Sequence, residues 1–239
     1  MASIHGGKQK QGKEIAQIIF DISQNYEIKG YCEVFCGMLG VFNYFHDLCG
    51  DKVKYKFGDI NKSTIYMWKK AQKGWIPPHT CTEDEYNYYK KARDSAEKGF
   101  ICHQFAFQGQ FCENYACNYN KSTDATSATE RVKKISQKAK YADFTQGDYR
   151  QFENLKGYVI YADPPYENTS QRYKTDEQFC ASTFWDWCRK MSKYNLVFVS
   201  NYTAPKDFKL LWSKSHLLTG AQKNTKNKKR VEKLYFYDI

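Results

Sequence analysis

The chain is poor in the residues that interrupt regular structure. Its 239 residues include 14 glycines and 5 prolines, too few for a fibrous, linker-dominated or low-complexity polypeptide. No apolar run approaches the roughly 20 residues of a membrane-spanning helix. The N-terminal segment MASIHGGKQKQGKE has no apolar stretch that could serve as a secretory leader. Nine cysteines are present, but the number is odd, the spacings are irregular and no Cys-x-x-Cys pair occurs. These absences predict a protein of a reducing intracellular compartment, with reduced thiols and no membrane association. His79, Cys81, Cys102 and His103 lie near one another in sequence, yet their spacing matches no common zinc pattern. No metal is expected.

Acidic residues are scarce as well: 26 Asp and Glu stand against 37 Lys and Arg, a formal net charge of +11. The imbalance is local. Residues 1–60 and 144–200 each hold seven basic and seven acidic side chains, whereas residues 61–143 hold 14 against 9 and residues 201–239 hold 9 against 3. An excess gathered into two blocks favours a polyanionic partner over a uniformly solvated lysine-rich surface.

With 41% hydrophobic and 17% aromatic residues, the chain can bury the core of one domain. Ile15, Ile18, Ile19 and Ile22 recur at helical spacing and predict an amphipathic helix within 8–26. Further helices are predicted at 38–49, 62–73, 83–98, 129–140 and 177–193. Strands are predicted at 31–36, 53–58, 141–146, 158–162 and 195–200, with strand-like runs at 216–219 and 233–237. This alternation predicts an α/β fold whose mostly parallel sheet is covered on both faces.

Ligands of such sheets bind beyond the carboxyl ends of the strands, and three predicted strand ends are unusual. After the first comes Glu33-Val34-Phe35-Cys36-Gly37-Met38-Leu39-Gly40, where glycines let the backbone approach a ligand. Asp59 closes the second strand, 22 residues beyond Gly37, near the offset at which an acid binds a ribose diol; it could equally cap the following helix. The two together point to an adenosine-containing cofactor. The third end is Asp163-Pro164-Pro165-Tyr166. The prolines fix the backbone and hold Asp163 extended, which presents rigid acceptors with no competing proline donor. Tyr166 adds a flat face. The arrangement suits an amino group on a planar ring.

These motifs together resemble the Dam-like DNA adenine-N6 methyltransferases, above all compact phage and viral members, and the resemblance runs along nearly the whole chain in the same order. His5-Gly6-Gly7-Lys8 is similar to the family's N-terminal cofactor motif, Glu33 to Gly40 to its S-adenosylmethionine loop, Asp59-Ile60 to its ribose-binding acid, and Gly147-Asp148-Tyr149 to the segment beside the cofactor adenine. Phe107 to Phe111 with Tyr115-Ala116 resembles part of the target-recognition region. Phe184 to Cys188, Val199 to Tyr202 and Lys229 to Leu234 resemble the elements after the catalytic loop. Val34 and Cys36 depart from the family, whose loop is richer in glycine and has a proline after the glutamate.

The resemblance implies a Rossmann-like S-adenosylmethionine-dependent methyltransferase fold, with a cofactor-binding part at 1–60, an inserted, mainly helical target-recognition region at 61–143 and a catalytic part at 144–239. It implies methyl transfer to N6 of a flipped-out adenine in double-stranded DNA, with Asp163, Pro164, Pro165 and Tyr166 as the catalytic loop. Asp163 would also border the cofactor, with His5, Gly6, Lys8, Glu33, Phe35, Gly37, Gly40, Asp59, Ile60, Asp148 and Tyr149. Base contacts fall to Lys8, Gln108, Gln110, Asn114 and Asn118. Phosphate contacts fall to Lys121, Arg131, Lys133, Lys134, Lys223, Lys226, Lys228, Lys229 and Arg230. RNA adenine, cytosine N4 and a non-catalytic DNA-binding role stay open as alternatives.

Overall fold

The computed structural model describes residues 8, 11–116, 125–165, 179–217 and 229–237. Among the expected site residues, His5, Gly6, Asn118, Lys121, Tyr166, Lys223, Lys226 and Lys228 lie outside the described residues. No described helix is long and apolar enough to cross a membrane.

Seven strands form one sheet: Gly30–Glu33 (β1), Lys54–Asp59 (β2), Asp143–Gln146 (β3), Tyr158–Ala162 (β4), Leu196–Asn201 (β5), Lys209–Leu217 (β6) and Lys229–Phe236 (β7). Their order across the sheet is β3-β2-β1-β4-β5-β7-β6. The first five pair in parallel, and β7 runs antiparallel to both β5 and β6. An order that runs outward from β1 on one side and from β4 on the other is that of a Rossmann-like, doubly wound sheet. The central strands are apolar because both faces are covered: every residue of β1 and β4 is buried. Short β3, with Asp143 exposed, makes an edge with little to offer another strand.

Side-chain alternation sorts the core into two layers. On one face Tyr31, Phe57, Val159, Phe198 and Leu234 pack against Gly12–Ser23 (α1), Phe42–Cys49 (α2), Lys62–Ala71 (α3) and Thr126–Lys138 (α6). On the other, Cys32, Ile160, Val197 and Tyr235 pack against Ala181–Ser192 (α7) and the short turn at Tyr149–Phe152. Both faces are covered, as expected, although unequally.

Two predicted elements differ. The helix expected at 83–98 is two helices, Glu83–Lys91 (α4) and Ala96–Gln104 (α5). Ser95 starts the second by accepting from the Lys98 amide, while Thr82 and Glu85 form a capping box on the first. The strand-like run expected at 216–219 is the nine-residue edge strand β6. Its exposed lysines and serines, paired only on one side, hid it from a hydrophobicity reading. The 61–143 region is built onto the core: Ile65, Trp68, Tyr86, Phe100 and Ile135 share one cluster with Ile15, Phe42 and Phe57.

α5 crosses α3 at a glycine, and a methyl group at Gly99 would overlap the Ser63 carbonyl oxygen. Gly→Ala in an open helix stabilises by up to about 1 kcal/mol. Here the sign should invert: Gly99→Ala should destabilise by about 1–3 kcal/mol through overpacking, read as a lower melting temperature. A melting temperature at or above the parent's would refute the close approach.

Candidate active site

The strand order reverses between β1 and β4, so the loops that leave their carboxyl ends diverge and open a crevice. Glu33 ends β1 and Asp163 follows β4 directly. In the register, Glu33 lies opposite Tyr161, two residues before Asp163. The loop expected to hold the cofactor and the loop expected to be catalytic are thus neighbours in the fold.

Asp59, at the end of β2, is the junction of the loops on that side of the crevice. Its Oδ2 accepts from the Gly37 amide at 2.9 Å and its Oδ1 from the Asn61 amide at 2.8 Å. Its own carbonyl accepts from Gly147 at 3.0 Å. One residue thus fixes the loop after β1, the start of α3 and the loop after β3. Burial raises its carboxyl above the usual range, and the two amides counter part of that. Asn61, and not Asp59, caps α3, by accepting from Thr64 at 3.3 Å.

Gly37 adopts φ +42°, and nothing lies within 4 Å of where a Cβ would stand, so the loop leaves an open cradle. The Trp68 indole donates to the Gly37 carbonyl at 2.8 Å and pins it from below. Leu39, also left-handed at φ +54°, stores strain of the kind found at ligand clamps. Gly12 of α1 packs closely on this loop, since a methyl group there would overlap the Gly40 carbonyl oxygen.

Glu33 is buried on the α1–α2 face. Its Oε1 accepts from the Tyr31 hydroxyl at 2.8 Å and from the Phe42 amide at 2.6 Å, so the side chain also ties the start of α2 to β1. Burial drives its carboxyl up to about 8; the hydrogen bonds from Tyr31 and Phe42 oppose this, and Asp163 adds to it. Phe35 and Tyr149 come together at 5.7 Å between ring centroids, joined by Phe179 and Phe184, and form an aromatic wall beyond β1 and β3. Asp148 holds the turn before Tyr149 by accepting from Arg150 through both its amide (2.9 Å) and Nε (2.6 Å). Ile60 accepts from Gln146 at 3.4 Å.

On the β4 side, Pro164 is buried and Pro165 exposed. Asp163 Oδ1 accepts from the Lys8 ammonium at 2.7 Å, and that lysine side chain is 3% exposed. Lys8 is expected both beside the cofactor and at a base; in the fold its ammonium meets the loop after β4. Glu232 of β7 lies 3.6 Å from the same ammonium. Beneath them the Tyr161 hydroxyl meets Ser200 Oγ at 2.8 Å. Glu232 escaped sequence reading because it sits inside the basic run Lys229 to Lys233; the signal was a lone acid in phase with buried Leu234 and Phe236.

The expected nucleic-acid contacts form a separate set. Residues 105–116 close into a narrow loop through the Ala106–Tyr115 bridge and bonds from Phe107 to Asn114 (2.6 Å) and Ala116 to Phe105 (2.8 Å). Gln108 and Gln110 lie at its tip, Asn114 is exposed, and Phe107 is 56% exposed. Arg131, Lys133 and Lys134 lie along α6, the two lysines exposed. Lys229 and Arg230 open β7 opposite Leu217 and His216. Among the described residues no group of His, Cys, Asp and Glu could hold a metal ion; His103 instead meets Thr64 Oγ1 at 3.1 Å.

No family model and no curated protein matches the sequence. Solved structures align along most of the chain at low identity. A candidate RNA methyltransferase of Pyrococcus horikoshii aligns at 12% identity over 96% of this chain and 83% of its own, with a TM-score of 0.46. TrmN of Thermus thermophilus aligns at 9% identity over 98% of this chain and 53% of its own, with a TM-score of 0.41. A candidate methylase of Haemophilus influenzae aligns at 14% identity over 94% of this chain and 97% of its own, with a TM-score of 0.41.

The buried Glu33 carboxyl has a pH signature. Folding raises it from an ordinary 4.5 to about 8, so between those values the folded state keeps a proton that the unfolded chain has lost. Its contribution therefore falls as pH rises through that window and is flat above it. Glu33→Gln keeps an acceptor for Tyr31 and Phe42 without the titration. Its melting temperature should gain on the parent's from about pH 5 to about pH 8, by up to about 4 kcal/mol of stability. A difference independent of pH would refute a neutral Glu33.

Proposed function

We propose that this chain is an S-adenosylmethionine-dependent methyltransferase that modifies N6 of an adenine flipped out of duplex DNA. The observation that carries the reading is the Asp163-Pro164-Pro165 loop at the carboxyl end of β4, beside the reversal of strand order, its carboxylate anchored by a buried ammonium. The opposite wall fits the cofactor. The cradle at Gly37, the buried acids Glu33 and Asp59 and the aromatic pair Phe35–Tyr149 suit an adenosine with a polar tail. When bound, S-adenosylmethionine supplies an electrophilic methyl group.

The chain's own residues do the rest. Adenine N6 is a poor nucleophile because its lone pair is delocalised into the ring. In this reading the Asp163 carboxylate and the Pro164 carbonyl accept the two amino hydrogens, which favours a pyramidal nitrogen and frees the lone pair. Rigid acceptors need no reorganisation as charge develops, and a fixed approach removes much of the entropic barrier. Asp163 is placed to take the N6 proton. Tyr166 would stack on the flipped base and offset part of an unstacking cost of a few kcal/mol. Loop 105–116 and the exposed face of α6 supply the groove and phosphate contacts.

Tritiated S-adenosylmethionine offered with duplex DNA, duplex RNA and single strands tests the assignment. Label should enter duplex DNA; label in RNA alone would overturn the DNA reading, and no label anywhere would overturn the enzyme. Asp163→Asn, which keeps an acceptor for Lys8, should lower single-turnover transfer about 100-fold or more with unchanged circular dichroism; parental activity would refute its role. Reversal of Lys133 and Lys134 to glutamate should weaken binding to all sequences alike. The slope of log affinity against log salt should shrink by about 2 if both meet phosphates, and an unchanged slope would remove α6 from the interface.

A further inference from the structure

Lys8 is held from two sides. Asp163 Oδ1 lies 2.7 Å from its ammonium and Glu232 Oε1 lies 3.6 Å away, with the Asp163 and Glu232 side chains 18% and 16% exposed. Among the described residues the other Glu232 oxygen, Oε2, is buried with no hydrogen-bond partner. A buried carboxylate oxygen left without a donor is costly unless the charge does something, and an apolar residue in phase with Leu234 and Phe236 would have packed there without penalty.

The topology explains how β7 reaches the site. β5 stops at Asn201, opposite Lys233, so residues 229–232 project past the carboxyl edge of the parallel strands. Glu232 falls on the face that carries α1. The Glu14 carboxylate of α1 accepts from the Trp212 indole at 3.0 Å and from the Lys214 ammonium, both on β6. This docks α1 on the β6–β7 hairpin and holds Lys8, just before that helix, over Glu232.

We infer that Glu232 is a positioning residue for methyl transfer: it fixes the Lys8 ammonium, which in turn fixes the orientation of the Asp163 carboxylate. The inference rests on the proposed reaction and goes beyond it, because nothing in the catalytic loop requires an acid on β7. The physical reason is conformational. A lysine held by one carboxylate can swing on its four-carbon stem, whereas one drawn by two carboxylates from different elements is confined. Confinement of the donor confines the acceptor, on which transfer geometry depends steeply. Glu232 meets no reacting atom in this scheme, so it affects the rate only through Lys8.

That last clause gives the test. Single-turnover methyl transfer to duplex DNA would be measured for the parent, Glu232→Gln, Lys8→Met and the double variant, with affinity for the neutral product S-adenosylhomocysteine and melting temperature recorded for each. Glu232→Gln should slow transfer about tenfold, in line with loss of one charged contact, with product affinity within about twofold of the parent. Lys8→Met should lose at least as much, and the double variant should be no slower than Lys8→Met alone, because the two act in series. Glu232→Asp, which keeps the charge on a shorter stem, should be faster than Glu232→Gln. Multiplicative losses, parental rates in Glu232→Gln, or Glu232→Asp no faster than Glu232→Gln would each overturn the inference and leave the methyltransferase reading standing. A parent that labels no polynucleotide overturns the reaction itself and the positioning role with it.

Discussion

The buried ion pair between Lys8 and Asp163 is the contact on which the arrangement of the site depends. It spans 155 residues of sequence and joins the segment before α1 to the loop after β4. An ammonium with 3% exposure is tolerated only where carboxylates meet it, because an unpaired buried charge costs about 3–5 kcal/mol. The penalty enforces structure in both directions. The N-terminal segment must lie against the carboxyl edge of the sheet, and the Asp163 loop must present its carboxylate inward. Restrained by proline on its other side, that loop has little conformational freedom left.

A second junction performs the same service on the β2 side of the crevice with backbone donors. Asp59 gathers the loops after β1, β2 and β3 through three hydrogen bonds at 2.8–3.0 Å. The two junctions differ in chemistry for a physical reason. Short loops within hydrogen-bonding reach of one carboxylate can be satisfied by amides, which cost little to bury in pairs. The gap between the chain's start and β4 must be crossed by a side chain, and lysine spans it with a charge that the adjoining acids can use.

The sequence made the parallel core legible because fully buried strands read as continuous apolar runs: 158–162 is the strand it was expected to be, and 195–200 is off by one residue at each end. It also singled out two loops that the fold brings side by side at one edge of the sheet, those after Glu33 of β1 and Ala162 of β4. What stayed hidden depended on pairing and not on composition. β6 was misplaced because an edge strand alternates lysine and serine with apolar residues and resembles a loop. The split between α4 and α5 turned on the Ser95 cap, which a helical propensity window averages away. Lys8 was flagged as a base contact, and only the folded chain shows that its ammonium lies inside, against Asp163. Glu232 was overlooked for the same reason: charge counting places it in a basic run, and the pleat turns it to the face of Leu234 and Phe236, with 16% of its side chain exposed.

The antiparallel β7 deserves its place in the functional argument on topological grounds. In an all-parallel sheet every strand delivers its carboxyl end to the ligand side, so residues can reach the site only from the loops that follow strands. A strand that runs the other way brings its beginning to that edge, and its side chains arrive on rigid, hydrogen-bonded backbone. Here that beginning carries Lys229 and Arg230, then Glu232 two residues on, paired across to β6. The basic residues precede the acid, so in the proposed reading the strand offers phosphate partners outside the catalytic crevice and a counter-charge within it. Charge is balanced where the carboxylates and the buried ammonium neutralise one another, and positive charge stands in solvent at Lys133 and Lys134 of α6.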